Sequence, residues 1–415
     1  MIKGTCRENP AMRASDGRRR IVSIVGTRPE AIKMAPLTRA IAARRDLRHE
    51  VILTGQHRGL SGMFEADVVK DLSCDPRGRT APRLREALHR AIYPHLSASR
   101  ADLVLVQGDT ASAFAGALAA RSCGVPIGHV EAGLRSFDLK QPWPEEGNRT
   151  AIDALAELLF APTEAAAANL AADWRVKGRV FVTGNTGIDA LLQARKPIAP
   201  PQAAAGERTI LVTCHRKENQ GGPIRTICTA LRRIVREFPL RVVLPLHPNP
   251  HVRRELESLL GDEPRISLIE PLDHGEMVCL MDASWLILTD SGGLQEEGPA
   301  LGKPVLVMRN VTERQEAVAT DNIELVGTET AEIVRAVSRL LRDPDRYARM
   351  SRPAFPFGDG SASERILAAI DGWFSPRGAA PFSMRRGGAG RGDGRGRPAP
   401  PPDGRSGCLG RGNGR

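Results

Sequence analysis

Short apolar, β-branched runs recur along the chain. Each empties into a small cluster of Gly, Asp, Thr, His or Glu, and most are followed by residues with apolar positions at helical spacing. In the first half the runs cover 21–25, 50–53, 103–106, 125–130, 159–161 and 180–183, with helical patterns over 31–44 and the alanine-rich 111–122. A helix after Gly187 fades into a proline-rich segment, 196–202, and the alternation then restarts with runs at 209–213, 241–244, 266–269, 285–289 and 304–308. Near-continuous apolar strands separated by helices imply parallel sheets covered on both faces. Such sheets bind ligands beyond the carboxyl ends of their strands, where nearly every polar cluster of this chain falls. The fold class predicted is α/β, with two Rossmann-like domains (21–187 and 203–360) facing each other across a cleft. A last helix, 361–374, packs on the body and is free to cross back to the first domain.

Charge changes this picture only at the ends. The formal net charge of +11 looks like a nucleic-acid signal until it is located. Residues 1–20 hold six Lys/Arg against two Asp/Glu, and 375–415 hold nine Arg against two Asp. Residues 21–374 balance at 44 of each, so the body is neutral. The two ends lack periodicity and read as disordered. The Gly/Arg/Pro-rich tail has almost no aromatic residues to stack on bases, which argues against nucleic acid as a partner. Seven scattered cysteines without CxxC spacing disfavour a disulfide framework and a zinc site, and suit a reducing compartment. No apolar run approaches a membrane span, and the arginine-rich start has no apolar signal core, so a cytoplasmic protein is expected.

Candidate chemistry concentrates at 129–149, HVEAGLRSFDLKQPWPEEGNR, which holds Glu131, Glu145, Glu146, Arg135 and Arg149. It reads as a long loop stiffened by Pro142 and Pro144, and long loops inside compact domains are usually functional. Asp109 and Glu131 end neighbouring runs and should meet in the cleft, where close carboxylates have their proton affinities pushed apart. The competing readings are helix capping for Asp109 and a solvated face for Glu145 and Glu146. Asp290-Ser291-Gly292-Gly293 opens a helix and lets a phosphate approach backbone N–H groups, with Glu297 one turn on to accept ribose hydroxyls. A Gly-rich turn with helix-favouring acids explains the same spacing. Gly26-Thr27-Arg28-Pro29-Glu30 repeats the arrangement in the first half, adding the cations Arg28 and Lys33. His215, beside Arg216 and Lys217, suits phosphate contact. Neither GxGxxG after the first strand nor GxxxxGK[ST] occurs, so a dinucleotide fold and an NTPase are unsupported.

Taken together, GTRPEAIKMAP (26–36), TGQH (54–57), QGDT (107–110), HVEAGLR (129–135), PWPEEGNR (142–149), DSGGLQEEG (290–298), LGKPVLVMR (301–309) and TER (312–314) resemble the non-hydrolysing UDP-N-acetylglucosamine 2-epimerases. The match runs in order from about residue 21 to 374. The resemblance implies a glycosyltransferase-B type fold, usually as a homodimer, and reversible inversion at C2 between UDP-GlcNAc and UDP-ManNAc without cofactor or metal. It implies Asp109, Glu131, Glu145, Arg149 and His215 as catalytic residues. Arg28, Lys33, Leu272, Met277, Ser291, Gly292, Gly293, Glu297 and Arg314 would bind substrate, and Gln56, His57 and His247 a possible second, activating UDP-GlcNAc. Four positions depart from the family pattern: Met277 for an aromatic, Gly59 for a Gln of the second site, Cys214 for Gly, and Gln315 for Pro. Two rivals share the fold, a retaining glycosyltransferase and an inactive sugar-nucleotide sensor. The carboxylate-rich 131–149 stretch disfavours the first, and retention of Asp109, Glu131, Glu145 and His215 together disfavours the second.

Overall fold

The computed structural model describes residues 17–375, except 76–77, 141, 196–206, 215–220, 247–248 and 313. His215 and His247 therefore lie outside the described residues, as do most of the two basic ends and the proline-rich 196–202. The first sheet holds β1 (Arg19–Val25), β2 (Leu47–Leu53), β3 (Val68–Asp71), β4 (Leu103–Gln107), β5 (Ile127–Val130), β6 (Leu158–Ala161) and β7 (Arg179–Val182). The second holds β8 (Arg208–Thr213), β9 (Leu240–Pro245), β10 (Ile266–Ile269), β11 (Leu286–Thr289), β12 (Val305–Val307) and β13 (Ile323–Leu325). Strand order is 3-2-1-4-5-6-7 in one and 10-9-8-11-12-13 in the other. Every pairing is parallel. The α/β expectation with two Rossmann-like sheets is met.

Helices cover the sheets in chain order: α1 (Arg28–Ala42), α2 (Ala81–Ser99), α3 (Ala111–Ser122), α4 (Glu145–Leu155), α5 (Glu164–Ala172) and α6 (Thr186–Ala194), then α7 (Gly222–Glu237), α8 (Pro250–Leu260), α9 (His274–Ala283) and α10 (Gly292–Ala300). After these come α11 (Gln315–Val318), α12 (Thr330–Arg342), α13 (Pro344–Met350) and α14 (Ala362–Phe374). Central strands β1, β4, β8 and β11 are buried along their apolar lengths, as strands of a parallel sheet covered on both faces are. α3 packs close on β1 because it is nearly all small residues. A Cβ on Gly26 would fall 1.9 Å from the Ser112 hydroxyl, so only glycine allows the β1 turn to lie against α3.

Both strand orders reverse at one point, between β1 and β4 and between β8 and β11. At such a switch point the loops diverge and leave a crevice at the carboxyl edge. The loops concerned are 26–30 and 108–110 in the first sheet and 290–293 in the second, which are motifs singled out from the sequence. Side chains join the two halves: Asn185 donates to Glu296 at 2.9 Å and Thr163 to Glu316 at 2.7 Å. The first residues of α14 donate from Ala362 and Ser363 to Asp189 of α6, at 3.1 and 2.7 Å, and Arg44 at the end of α1 binds Asp371.

One local expectation is overturned. Residues 129–149 are not all loop, since α4 starts at Glu145. Pro144 stands at its N-cap, and Glu145 and Glu146 occupy the first turn, where carboxylates favour the positive end of the helix dipole.

Candidate active site

β4 and β5 lie side by side, so the residues ending them are neighbours. Glu131 follows β5 with a left-handed backbone (φ 66°) that a side chain rarely adopts, a conformation that concentrates where geometry serves function. Its carboxylate, nearly buried, accepts from Gln107 Nε2 at 2.5 Å and from Lys33 Nζ of α1 at 2.7 Å. Burial alone would lower the Lys33 pKa, but Glu131 and Glu296 outweigh it and raise the value. Asp109 does not cap α3; the Thr110 hydroxyl does, accepting from Ala113 N at 3.0 Å. Asp109 is left to pair with Arg149 of α4, whose other arm reaches Glu146 at 2.6 Å. Asn148 donates to the Asp109 carbonyl at 2.8 Å. Burial works against the charge of Arg149, yet Asp109 and Glu146 hold its pKa above the ordinary value.

The solvated-face reading of the two glutamates also fails. Glu146 is 2% exposed and receives Ser136 N at 3.1 Å and Phe137 N at 3.3 Å, so it braces the loop ahead of α4. Glu145 is half-buried, and its Oε2 is buried with no hydrogen-bond partner among the described residues. Behind this cluster, His129 places Nε2 on the Gly108 carbonyl at 2.8 Å and Nδ1 on Asp153 at 2.6 Å. Asp153 also takes Arg135 at 2.6 Å, and despite its burial His129 and Arg135 lower its pKa.

The start of α1 is not a second phosphate cradle of open amides. The Glu30 carboxylate already takes Gly26 N at 3.0 Å and Thr27 N at 2.6 Å, and it accepts from the Thr110 hydroxyl at 2.6 Å. This capping box closes the helix end on itself and ties the β1 and β4 loops together. Burial pushes the Glu30 pKa up to about 7 against those hydrogen bonds. What this end presents is the exposed Arg28, whose own N–H goes to His57 Nδ1 at 3.1 Å. Gln56 is also engaged, accepting from Ser112 at 2.8 Å.

α10 differs at its start. Ser291 stands at the N-cap without a side-chain capping bond, so the Gly292 and Gly293 amides are not taken by it. Thr312 donates to the buried Gln295 at 2.5 Å and accepts from Arg314 N at 3.2 Å, which ties Thr312 and Arg314 to α10. Arg314 Nε then meets Glu296 at 3.0 Å. Its guanidinium carbon lies 3.0 Å from where a Cβ on Gly292 would be, so glycine makes room for the arginine. Glu297 is half-buried; burial, then the neighbouring Glu296, raise its pKa to about 8 while Lys33 opposes. Leu272 and Met277 pack partly buried on the second sheet's core at the start of α9, with Asp273 capping the helix.

The structure thus brings Lys33, Asp109, Glu131, Glu145 and Arg149 together at the carboxyl edge of the first sheet. Ser291, Gly292, Gly293, Glu297 and Arg314 gather at that of the second, and Lys33 joins the groups at 3.6 Å from Glu296. Glu30, Gln107 and Glu296 have no site role in the sequence reading, and Glu146, a candidate there, has a bracing role that the sequence did not suggest. Glu30 and Glu296 are each an acid in the first or second turn of a helix opened by a glycine-containing motif, a signal that composition does not separate from ordinary helix starts. Among the described residues no cluster of three or more potential metal ligands occurs, and no helix is long and apolar enough to cross a membrane.

Two doubly wound parallel sheets, with acid and cation clusters on their facing edges, define an α/β protein of the glycosyltransferase-B class. A family model for UDP-N-acetylglucosamine 2-epimerase matches residues 39–371. A UDP-N-acetylglucosamine 2-epimerase of Yersinia pestis is 43% identical over 368 residues, covering 85% of this chain and 98% of the relative. That of Escherichia coli K12 is 42% identical with the same coverage. The crystal structure of UDP-GlcNAc 2-epimerase from Neisseria meningitidis bound to UDP-GlcNAc superposes with a TM-score of 0.78 at 37% identity, over 85% of this chain and 99% of the other. The Methanocaldococcus jannaschii UDP-GlcNAc 2-epimerase in complex with UDP-GlcNAc and UDP gives 0.71 at 30% identity, over 85% and 99%. The chain belongs to the UDP-N-acetylglucosamine 2-epimerase family.

Proposed function

We propose that the protein interconverts UDP-GlcNAc and UDP-ManNAc by eliminating and re-adding UDP. The observation that carries this reading is the pairing of a carboxylate cluster at the β4/β5 edge with a glycine-opened helix start and an arginine at the β11 edge. The C2 proton is not next to a carbonyl, so its removal alone would leave an unstabilised carbanion. If a carboxylate takes that proton while the C2 electron pair forms the C1–C2 double bond, the C1–O bond breaks and its electrons leave with UDP. The product is 2-acetamidoglucal beside UDP. Re-addition of UDP to C1, with a proton delivered to the opposite face of C2, gives the epimer. Protons leave and return and no net oxidation occurs, so the chemistry balances without a redox cofactor.

In this reading Asp109, Glu131 and Glu145 are the acid and base candidates, Arg149 orients Asp109, and His215 completes the set from outside the described residues. The Gly292 and Gly293 amides, Ser291, Arg28 and Arg314 stabilise the departing diphosphate. Glu297 holds the ribose, while Leu272 and Met277 border the base. Lys33 sets the charge on Glu131. Cytoplasmic location, a homodimer and an activating second UDP-GlcNAc at Gln56, His57 and His247 belong to the same proposal.

The test is incubation with UDP-GlcNAc in D2O without added cofactor, followed by proton NMR. UDP-ManNAc carrying deuterium at C2, beside intact UDP-sugar, is the expected result. Free ManNAc plus UDP would place the chain in a hydrolysing branch, and no turnover at high substrate would overturn the reading.

A further inference from the structure

Four buried or nearly buried charges alternate across the space between the sheets: Glu131 after β5, Lys33 on α1, Glu296 on α10 and Arg314 before α11. Lys33 is 2.7 Å from Glu131 but 3.6 Å from Glu296, a hydrogen bond on one side and only an ion pair on the other. Glu296 is 2% exposed, and its two oxygens are divided: Oε1 faces Arg314 at 3.0 Å, while Oε2 faces Lys33 and Asn185 Nδ2, the latter at 2.9 Å. One end of this chain is an acid/base candidate, and the other is a cation placed to meet a diphosphate.

We infer that Glu296 is a positioning residue that couples nucleotide binding to the basicity of Glu131; this rests on the proposed epimerase reading. A diphosphate draws Arg314 away from Glu296. A buried carboxylate that loses a cation is strongly disfavoured, so Lys33 closes on Glu296 and leaves Glu131 with Gln107 alone. A carboxylate without its ammonium partner is the stronger base. Proton removal at C2 is thereby favoured when the UDP part of the substrate is seated, which guards against abstraction from a loosely held sugar.

Glu296→Gln tests this. The neutral side chain neither competes for Arg314 nor draws Lys33. UDP, measured by calorimetry, binds at least as tightly as to the wild type. The rate of C2 deuterium exchange in saturating UDP-GlcNAc falls tenfold or more, with no rise in KM. Glu296→Asp keeps the charge but withdraws it from Lys33; it lowers exchange less and leaves UDP affinity in place, and it carries the comparison if the Gln variant does not fold. UDP affinity falling in step with the exchange rate would show that Glu296 only builds the nucleotide pocket, and would overturn the inference, as would an unchanged exchange rate. A wild type that binds UDP but never exchanges C2 would fail the epimerase reading alone, while the UDP comparison still tests the Arg314 half.

Discussion

Replacing Glu146 with alanine asks whether the loop before α4 is held by charge. The carboxylate is 2% exposed and serves three donors: Ser136 N, Phe137 N and Arg149. Removing one member of a buried pair ordinarily costs about 3–5 kcal/mol. Here Arg149 keeps Asp109, which reduces the penalty, but two backbone N–H groups lose their acceptor, at about 1–3 kcal/mol each if they stay dry. Phe137 is 80% exposed, so water can reach its amide more easily than that of Ser136. The expected loss is therefore about 3–4 kcal/mol. In urea this lowers the first-sheet midpoint by about 1 M. Glu146→Gln keeps an acceptor for the amides but turns N–H groups toward Arg149, and it falls between the two. Both variants loosen the Arg149–Asp109 pair, so C2 exchange drops with little change in UDP affinity. A loss under about 1 kcal/mol for Glu146→Ala, with exchange intact, would refute the bracing role.

Three further outcomes follow from the site. Glu145→Gln leaves urea stability within about 0.5 kcal/mol, because the buried Oε2 has no partner to lose among the described residues, yet it cuts C2 exchange by about 10²–10⁴ as an acid/base group should; wild-type exchange would exclude Glu145 from catalysis. Gly292→Ala pushes a methyl to about 3.0 Å from the Arg314 guanidinium and weakens UDP about tenfold by calorimetry, or 1.4 kcal/mol; unchanged affinity would separate Arg314 from the nucleotide. Glu297, whose pKa rises from 4.5 to about 8 on folding, binds its proton more tightly in the folded chain, so its contribution to stability is present below pH 4.5 and lost as pH climbs to about 8. Glu297→Gln removes that loss, on the order of 4 kcal/mol, and thermal melts of the two proteins that stay parallel from pH 5 to 8 would contradict it.

How far the sequence reaches depends on how apolar an element is. The 103–106 and 266–269 runs became Leu103–Gln107 and Ile266–Ile269 because buried parallel strands leave continuous apolar text. β3 and β13 escape such reading because they are edge strands of four and three residues, VVKD and IEL, half-exposed and carrying charge. α2 is masked by Arg, His and Pro94 around its few buried positions, Leu88, Ile92 and Leu96. The strand-end carboxylates Asp109 and Glu131 were legible for the same reason as their strands. Their partners were not. That Lys33 faces Glu131, or Glu296 faces Lys33, follows from β1 lying beside β4 and from α10 meeting α1 across the cleft, which is strand order and lobe packing rather than local pattern.

The way charge is neutralised separates frame from chemistry. Arg149 serves Asp109 and Glu146, Lys33 serves Glu131 and Glu296, and Arg314 serves Glu296 again, so each cation holds two elements in register. Two carboxyl groups are treated otherwise. Glu297 is made tolerable by keeping its proton to about pH 8, and Glu145 buries an oxygen with no donor on it among the described residues. Neither arrangement gains anything for stability alone, since a buried carboxyl group pushed to hold its proton and an unsatisfied buried carboxylate oxygen both cost free energy. Their partners are then expected from outside the chain: sugar hydroxyls for Glu297, and a proton moving to or from C2 for Glu145.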